Sequence, residues 1–242
     1  MPTDEAARLR KAYAPLRTFG ELMANRGFRR FFQERNDALA ELLSGRLEKP
    51  LSECRILDFG CGGGVVAGWL NLHGASSERI IGVDIQRERI MCARRTYPHL
   101  TFLEASGEHL PFSAGEFDII IAFTVFSSIL DRSIAKKVST EIRRVLAIGG
   151  IIIWYDVRYP NPFNLQLRAM TRSRIRSLFP GLTAELNTLT LLPPIAERLG
   201  PLTDALYPPL ASIPALRSHY FGLLHSVAET ENTGAVSRAR RA

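Results

Sequence analysis

Short apolar runs alternate with amphipathic stretches through the middle of the chain. The runs predict strands, and they lie at 54–59, 79–84, 101–103, 117–123 and 151–156. The stretches predict helices, and they lie at 65–73, 86–96 and 131–146. The run 117–123 is apolar nearly throughout, which is typical of a strand covered on both faces in a parallel sheet. The alternation predicts a doubly wound α/β sheet with right-handed crossovers.

The N-terminal part of the chain departs from this alternation. Residues 5–18 and 28–48 predict helices, and leucines recur at three- and four-residue steps on one face of the second. We therefore assign residues 1–49 to an N-terminal helical lid and residues 50–228 to the α/β domain.

The C-terminal part predicts two more strands, at 186–192 and 219–224, which brings the mostly parallel sheet to seven strands. The six prolines of 193–214 predict a capping segment between those two strands. Residues 229–242 are polar and predict a disordered tail.

Composition narrows the class of protein. The 242 residues fit one α/β domain, and 31 Lys+Arg against 24 Asp+Glu give a net charge of +7. No apolar run reaches the length of a membrane span, and the polar start of the chain does not resemble a secretory signal. The three cysteines form no metal-ligand pattern, so we expect a cytoplasmic protein without a metal site.

A glycine-rich loop follows the first predicted strand. Asp58, Gly60, Gly62 and Gly64 alternate there, and Asp84 ends the next strand. Glycines in such a turn let a ligand approach the backbone, and a carboxylate at the next strand end suits the hydroxyls of a ribose. The third glycine falls one place early for a dinucleotide loop, and no Lys-Ser/Thr pair follows as in a mononucleotide loop.

Four blocks in order resemble the class I methyltransferases that use S-adenosylmethionine. They are the loop 56–64, the strand end 81–85, the segment 108–120 and the helix and turn 141–150. The resemblance covers about residues 50–157. It implies a seven-stranded Rossmann-like methyltransferase sheet, with S-adenosyl-L-methionine as the cofactor.

The resemblance also implies which residues bind that cofactor. The backbone of Gly60, Cys61 and Gly62 should lie against the methionine part, and Asp58 should orient its ammonium group. The remaining cofactor contacts are expected from Asp84 on the ribose, Ile85 on the adenine, Ser106, Gly107 and Glu108 near the adenine amino group, and Phe123 and Thr124 beside the sulfonium. Many relatives have Asp-Ala where this chain has Ser106-Gly107, so Ser106 is a weaker acceptor there.

The methyl acceptor is less clear from the sequence. A hydroxyl acceptor needs a base, and the candidates are Asp156 at the end of the fifth strand and His219, with Tyr155, Asp131 and His225 behind them. The Asn/Asp-Pro-Pro motif of nucleic-acid amino methylation does not follow the fourth strand. Many small-molecule relatives have His at position 127 or 128, where this chain has Ser127 and Ser128.

Arginines cluster after the fifth strand, between residues 157 and 184, where no acid occurs. Arg158 directly follows the carboxyl end of the fifth strand, where ligands bind, so we expect it to bind the acceptor, together with Asn161 and Asn164 of the same segment. That segment also resembles bacterial methyltransferases, some of them associated with polysaccharide or secondary-metabolite genes, and this resemblance fixes no substrate. The cluster fits an anionic acceptor, a nucleic-acid backbone or simply a solvated helix face. We expect methylation, at oxygen, of a small, glycan or lipid-linked molecule; the alternatives are an RNA methyltransferase and a non-catalytic binding module.

Overall fold

A computed structural model describes residues 4–13, 19–160 and 165–226 of the chain. Its strands are β1 (Ile56–Phe59), β2 (Ile80–Asp84), β3 (Thr101–Glu104), β4 (Phe117–Phe123), β5 (Leu146–Val157), β6 (Leu182–Leu191) and β7 (Arg217–Ser226). Its α-helices are α1 (Asp4–Tyr13), α2 (Phe19–Ala24), α3 (Arg26–Arg46), α4 (Val65–Leu72), α5 (Arg87–Thr96), α6 (Arg132–Val145), α7 (Arg172–Leu178), α8 (Pro193–Arg198) and α9 (Thr203–Ala211).

The seven strands form one sheet in the order β3-β2-β1-β4-β5-β7-β6. The first five strands of the chain pair in parallel, and only β7 runs antiparallel to its neighbours β5 and β6. The predicted doubly wound, mostly parallel fold is therefore confirmed. The chain reverses its direction of travel across the sheet between β1 and β4, and ligands bind at the carboxyl end of such a switch point.

Two apolar cores cover the two faces of the sheet. Helices α3, α4, α5, α8 and α9 supply the buried side chains of one core. Helices α6 and α7 supply those of the other. The sequence of α6 carries the signals that predict a helix. Asp131 caps its first turn, and its buried face repeats apolar residues at helical spacing: Ala135, Val138, Ile142 and Val145.

The proline-rich segment folds in a way that its composition did not predict. It forms α8, which begins with Pro193 and Pro194 in the first turn where a missing N–H costs nothing, and α9. The segment packs against α3, and it does so closely enough that a Cβ on Gly27 would lie 1.7 Å from the Ala196 carbonyl oxygen. Its role as a cap over that core face depends on this long-range packing.

Two other predictions concern the start of the fifth strand and the C-terminal tail. The fifth strand begins at Leu146 rather than at Ile151, because Gly149 adopts a left-handed φ of 75° within the strand instead of ending the helix before it. The expected tail 229–242 lies outside the described residues. Among the residues that are described, no helix is both long and apolar enough to cross a membrane.

Candidate active site

A cleft of about 860 Å³, counted with its open mouth, lies at the carboxyl ends of β1, β2 and β4. Strand ends and the loops after them supply most of its wall, and α1, α5 and α6 supply the rest. The position is the one that the parallel topology favours for a ligand.

The glycine-rich loop follows β1, and its first residue, Gly60, lines the cleft. Gly60, Gly62 and Gly64 have φ angles of 72°, 54° and 80°, which residues with a side chain rarely adopt. The N–H groups of Gly60 and Cys61 both donate to the Val83 carbonyl, at 2.8 and 2.9 Å. A Cβ on Gly60 would lie 2.5 Å from a methyl group of Val125, so the loop needs glycine for space as well as for conformation.

Asp84 joins this loop to the end of β2. Its Oδ2 accepts a hydrogen bond from the Gly62 N–H at 2.9 Å, and its Oδ1 accepts one from the Gln86 N–H, also at 2.9 Å. Burial raises the pKa of this carboxyl group above its usual range, and the two hydrogen bonds oppose that shift. A carboxylate oxygen has more than one acceptor site, so Asp84 can still receive hydroxyl groups from a ligand.

Asp58 lies in β1, just before the glycine-rich loop. It is 2% exposed, and its Oδ2 accepts a hydrogen bond from the Ala67 N–H at 3.1 Å, in the first turn of α4. Burial raises the pKa of Asp58 to about 7. Cys61 is also buried, and burial raises the pKa of its thiol, so the thiol is not a reactive nucleophile.

The turn after β3 forms a third part of the wall. Ser106, Gly107 and Glu108 all line the cleft, as does Ile85. The Ser106 hydroxyl accepts a hydrogen bond from the Glu108 N–H at 3.3 Å, and the Glu108 carboxylate pairs with Lys137 at 3.2 Å. Ser106 therefore shapes the turn, and its hydroxyl still has an O–H to donate.

The end of β4 carries backbone strain at the mouth of the cleft. Thr124 is exposed and has a φ of 53°, which is a rare conformation for a β-branched residue. Its N–H donates to the Tyr155 carbonyl at 2.6 Å, which holds the residue in place. Strain of this kind costs about 1–3 kcal/mol and clusters at functional sites.

Most of the residues expected to bind the cofactor share this one cleft. The lining includes Gly60, Asp84, Ile85, Ser106, Gly107, Glu108, Phe123 and Thr124. The other three expected residues do not line the cleft: Asp58 lies in β1, and Cys61 and Gly62 lie in the glycine-rich loop that follows it. Their assignment to particular parts of a cofactor stays a prediction.

Several residues that line the cleft are not among those predicted from the sequence. Gln86 and Val125 follow strand ends, so the rule that ligands bind at those ends could have found them. Glu5 and Leu9 of α1 gave no signal, because they reach the cleft only through tertiary packing. Glu5 accepts a hydrogen bond from the Leu130 N–H at 2.7 Å, which holds α1 against the loop after β4.

Asp156, the first candidate base, lies away from the cleft wall. It is fully buried, and its two carboxylate oxygens accept hydrogen bonds from the N–H groups of Ser127 at 2.9 Å and Val157 at 2.8 Å. Burial raises its pKa to about 6. In this arrangement Asp156 connects β5 to the loop after β4, which is a positioning role.

His219, the second candidate base, is 4% exposed on the other face of the sheet. Its ring stacks on Tyr155 with centroids 4.3 Å apart, and its Nδ1 lies 2.7 Å from the Ser218 hydroxyl and 3.0 Å from the Thr190 hydroxyl. Burial lowers its pKa to about 3, so the ring is neutral.

The other candidate bases are also engaged elsewhere. Asp131 is the N-cap of α6, and the Tyr155 hydroxyl is buried against Thr190 at 2.9 Å. His225 pairs with Ile151 at the opposite edge of the sheet and binds Glu185 at 2.9 Å.

Arg158 lies just past β5 and is half-buried. Its guanidinium stacks between the rings of Tyr159 and Tyr220, at 4.4 and 5.3 Å from the centroids, and donates to the Pro214 carbonyl at 3.0 Å. The cleft lining does not include it. Asn161 and Asn164, the other expected acceptor contacts, lie outside the described residues.

Comparison with known proteins agrees with this geometry. A family model described as a methyltransferase domain matches residues 56–150, which span the loop, Asp84, the end of β4 and α6. Residues 56–150 are a methyltransferase domain of the class I S-adenosylmethionine-dependent type. S-adenosylmethionine is the cofactor of this methyltransferase family.

Individual relatives share the domain but differ in their acceptors. A phthiotriol/phenolphthiotriol dimycocerosates methyltransferase of Mycobacterium ulcerans is 34% identical over 121 residues, which is 46% of this chain and 40% of the relative. A ribosomal RNA small subunit methyltransferase of a Marinomonas species is 28% identical over 145 residues, 55% of this chain and 40% of the relative. The matched part spans half or less of these relatives' length.

The fold similarity extends further than the sequence similarity. A crystal structure of an S-adenosylmethionine-dependent methyltransferase from Methanosarcina mazei superposes with a TM-score of 0.56 at 16% identity. The superposition covers 76% of this chain and 96% of the Methanosarcina chain. At this identity the similarity shows the shared fold.

The residues present fit the cofactor. Gly60 and Asp84 line the same cleft, and the Asp84 carboxylate has acceptor sites left for a ribose. When bound, S-adenosylmethionine supplies an activated methyl group. The residues of the cleft would then hold the two reactants in line and exclude water.

Proposed function

We propose that this protein transfers a methyl group from S-adenosylmethionine to a small or lipid-linked acceptor. The observation that carries the proposal is the convergence of Gly60, Asp84 and the strained Thr124 in one cleft. The cleft is lined by the carboxyl group of Asp84, which suits a nucleoside, and by the apolar side chains of Leu9 and Ile129. An apolar wall favours an acceptor with a hydrophobic part and keeps water from the reaction.

We further propose that the methylated atom is an oxygen that ionises readily, as in a phenolic hydroxyl or a carboxylate. The two bases expected from the sequence, Asp156 and His219, lie outside the cleft lining. Glu5 does line the cleft, but its hydrogen bonds from Arg8 and the Leu130 N–H lower the pKa of its carboxyl group. An acceptor that loses its proton without a strong protein base is therefore the better match.

Methylation of RNA is the second candidate, because one relative acts on ribosomal RNA and the arginine cluster could bind a phosphate backbone. Three of the arginines, however, already donate guanidinium hydrogen bonds to backbone carbonyl oxygens of the protein. Arg158 donates to Pro214, Arg172 to Leu186 and Arg174 to Ile129. This use favours the smaller acceptor.

Two measurements test the proposal in turn. Calorimetry with S-adenosylmethionine, S-adenosylhomocysteine, NAD and ATP should show binding of the first two only; tight binding of NAD alone would refute the assignment. Release of S-adenosylhomocysteine is then measured with phenolic lipids, carboxylic acids and total ribosomal RNA as acceptors. Turnover with RNA alone would replace the small acceptor, and turnover with any of them would rule out a non-catalytic module.

A further inference from the structure

The capping segment between β6 and β7 carries a row of exposed apolar side chains. Leu202 is 58% exposed, Leu206 40% and Ile213 45%, and we call these three residues the apolar row. Spacings of four and seven residues place them along one side of α9 and of the short turn before it. The buried side of the same helix is formed by Thr203, Tyr207 and Ala211. Single exposed leucines are ordinary, but neighbouring ones mark an interaction surface.

The capping segment is attached to the edge of the sheet that holds the cleft. It follows β6, which ends at Leu191, and it returns to β7 at Arg217, the register partner of Leu191. Nearby in β7, His219 pairs with Val157, the last residue of β5. The cleft lies at the carboxyl end of β4, the parallel neighbour of β5. Docking through the apolar row therefore brings this edge of the molecule close to the bound surface.

Tyr159 extends the exposed surface at the Ile213 end of the apolar row. It is 37% exposed, and its ring centroid lies 4.4 Å from the guanidinium carbon of Arg158. That guanidinium donates to the carbonyl of Pro214, the residue after Ile213, at 3.0 Å. A tyrosine has an apolar body and a polar hydroxyl, so it suits the boundary between lipid and water.

Arginines flank the apolar row at both ends. Arg198 is exposed and lies four residues before Leu202, which is one helical step along the same side. Arg158 lies at the other end, and so does Arg217, which donates to the last carbonyl of α9 at 2.6 Å. The row is therefore framed by positive charge.

Few acids oppose this charge. In the stretch 193–216, all of which the structure describes, Asp204 is the one exposed acid. The sequence has no acid between residues 157 and 184, and the whole chain has a net charge of +7. Apolar side chains framed by guanidinium groups complement an anionic bilayer, since the former enter the acyl boundary and the latter meet the headgroups.

We propose that the apolar row and Tyr159 dock the protein on an anionic lipid bilayer. This inference rests on the proposed function and deepens it, because a bilayer presents a lipid-linked acceptor to the edge that holds the cleft. A second copy of the chain is the competing occupant. In a symmetric pair, however, arginines at both ends of one row meet arginines of the other, and like charges repel.

Co-sedimentation of the full chain with vesicles tests the apolar part of the surface. Wild type should bind phosphatidylcholine–phosphatidylglycerol vesicles of roughly 7:3 composition at least about tenfold more tightly than phosphatidylcholine alone. Changing the three residues together, Leu202→Gln, Leu206→Gln and Ile213→Gln, should weaken that binding at least about tenfold. The matched control is Leu72→Gln with Ile148→Gln, which removes two fully exposed apolar side chains outside the row and should leave binding unchanged.

A second pair of variants tests the charge. Arg198→Gln should weaken binding to the anionic vesicles about fivefold, the equivalent of about 1 kcal/mol for one arginine at such a surface. Its weak binding to phosphatidylcholine alone should not change. Arg95→Gln, an exposed arginine on α5, is the matched control. Equal losses in Arg198→Gln and Arg95→Gln would show attraction by net charge alone and overturn the proposed face.

Hydrogen exchange locates the bound surface on the unaltered protein. Anionic vesicles should slow exchange in residues 199–216 of wild type, and this readout stands even if a variant fails to fold. Wild type that does not bind anionic vesicles would overturn the proposal, as would a folded triple variant that binds like wild type. So would a wild-type dimer, seen by sedimentation velocity, that the triple variant dissociates, because a second copy then covers the row.

None of these readouts needs a cofactor or an acceptor. Methyl transfer without vesicle binding would therefore end the docking proposal alone. Vesicle binding by a protein that binds no S-adenosylhomocysteine would end the proposed function alone.

Discussion

The buried polar groups on the β1–β2 side and on the β5–β7 side of the sheet differ in how far away along the chain their hydrogen-bond partners lie. On the β1–β2 side, Asp58 and Asp84 accept hydrogen bonds from the backbone of Ala67, Gly62 and Gln86, all within one βαβ unit. On the β5–β7 side, the Tyr155 hydroxyl meets Thr190, which also meets His219. That second cluster joins three strands, under a helix from the N terminus.

The difference separates two kinds of requirement. The hydrogen bonds on the β1–β2 side depend on the backbone conformation of the glycine-rich loop, and a short stretch of sequence encodes that conformation. The β5–β7 side needs a set of side chains that fit together, including Thr190 with a left-handed φ of 60°. No local pattern encodes such a set, although each member is fully buried.

The largest expected effect breaks the β1–β2 side at its loop. Gly60→Ala should destabilise the protein by roughly 2–6 kcal/mol and abolish cofactor binding, since a methyl group there meets stiff Val125 and forces a φ of 72° on alanine. Thermal denaturation and calorimetry measure both. Gly63→Ala is the control, as a Cβ there has nothing within 4 Å. Equal loss in the two variants would contradict the account of the loop.

The next effect tests burial on the β5–β7 side through pH. The pKa of His219 is about 3 in the folded protein against 6.5 ordinarily, so below pH 6.5 the unfolded chain takes up a proton that the folded chain does not. The free energy of unfolding should therefore fall by about 3 kcal/mol between pH 7 and pH 4 on account of this group.

His219→Phe keeps the ring stacked on Tyr155 and removes this contribution. The difference in free energy of unfolding between wild type and variant should shrink as the pH falls, and urea denaturation at several pH values measures it. The exposed His73→Leu is the matched control for burial. Parallel curves for wild type and His219→Phe would mean that His219 is not held neutral.

A third effect of about 1.5–3 kcal/mol sharpens the role of Asp84. Asp84→Ala should weaken cofactor binding roughly 10- to 150-fold, because the ribose loses a charged acceptor and the Gly62 N–H loses its partner. Asp84→Asn retains an acceptor oxygen and should lose less. Calorimetry measures both, with Glu104→Ala at the neighbouring strand end as the control. Unchanged affinity in a folded Asp84→Ala variant would show that the ribose lies elsewhere.

The smallest expected effect concerns the arginine past β5. Arg158→Ala should change the free energy of cofactor binding by less than about 0.5 kcal/mol, since Arg158 does not line the cleft and its partners are Tyr159, Tyr220 and Pro214. It should raise the KM for an anionic acceptor. Arg176→Ala on α7 is the control. A fall in cofactor affinity, with the acceptor KM unmoved, would assign Arg158 to the cofactor half.

The comparison also explains which parts of the site could be predicted. Asp84, Ile85 and Thr124 follow strand ends, so their place in the cleft came from local pattern and resemblance. Asp156 ends a strand as well, yet its carboxylate turns to the backbone of Ser127 and Val157. A position at the end of a strand predicts that a residue lies at the carboxyl edge of the sheet. The packing around its side chain decides whether that side chain lines the cleft.

By itself the sequence determined the sheet, the loop and the family, because alternating apolar runs, glycines and strand-end acids act within a few residues. Only the tertiary structure decided that Glu5 lines the cleft, that Arg35 stands near Asp58, and that His219 is a neutral core residue. Each of these depends on elements that lie far apart along the chain and meet only when the two cores form. Burial then holds His219 neutral, and burial is a property of the folded protein.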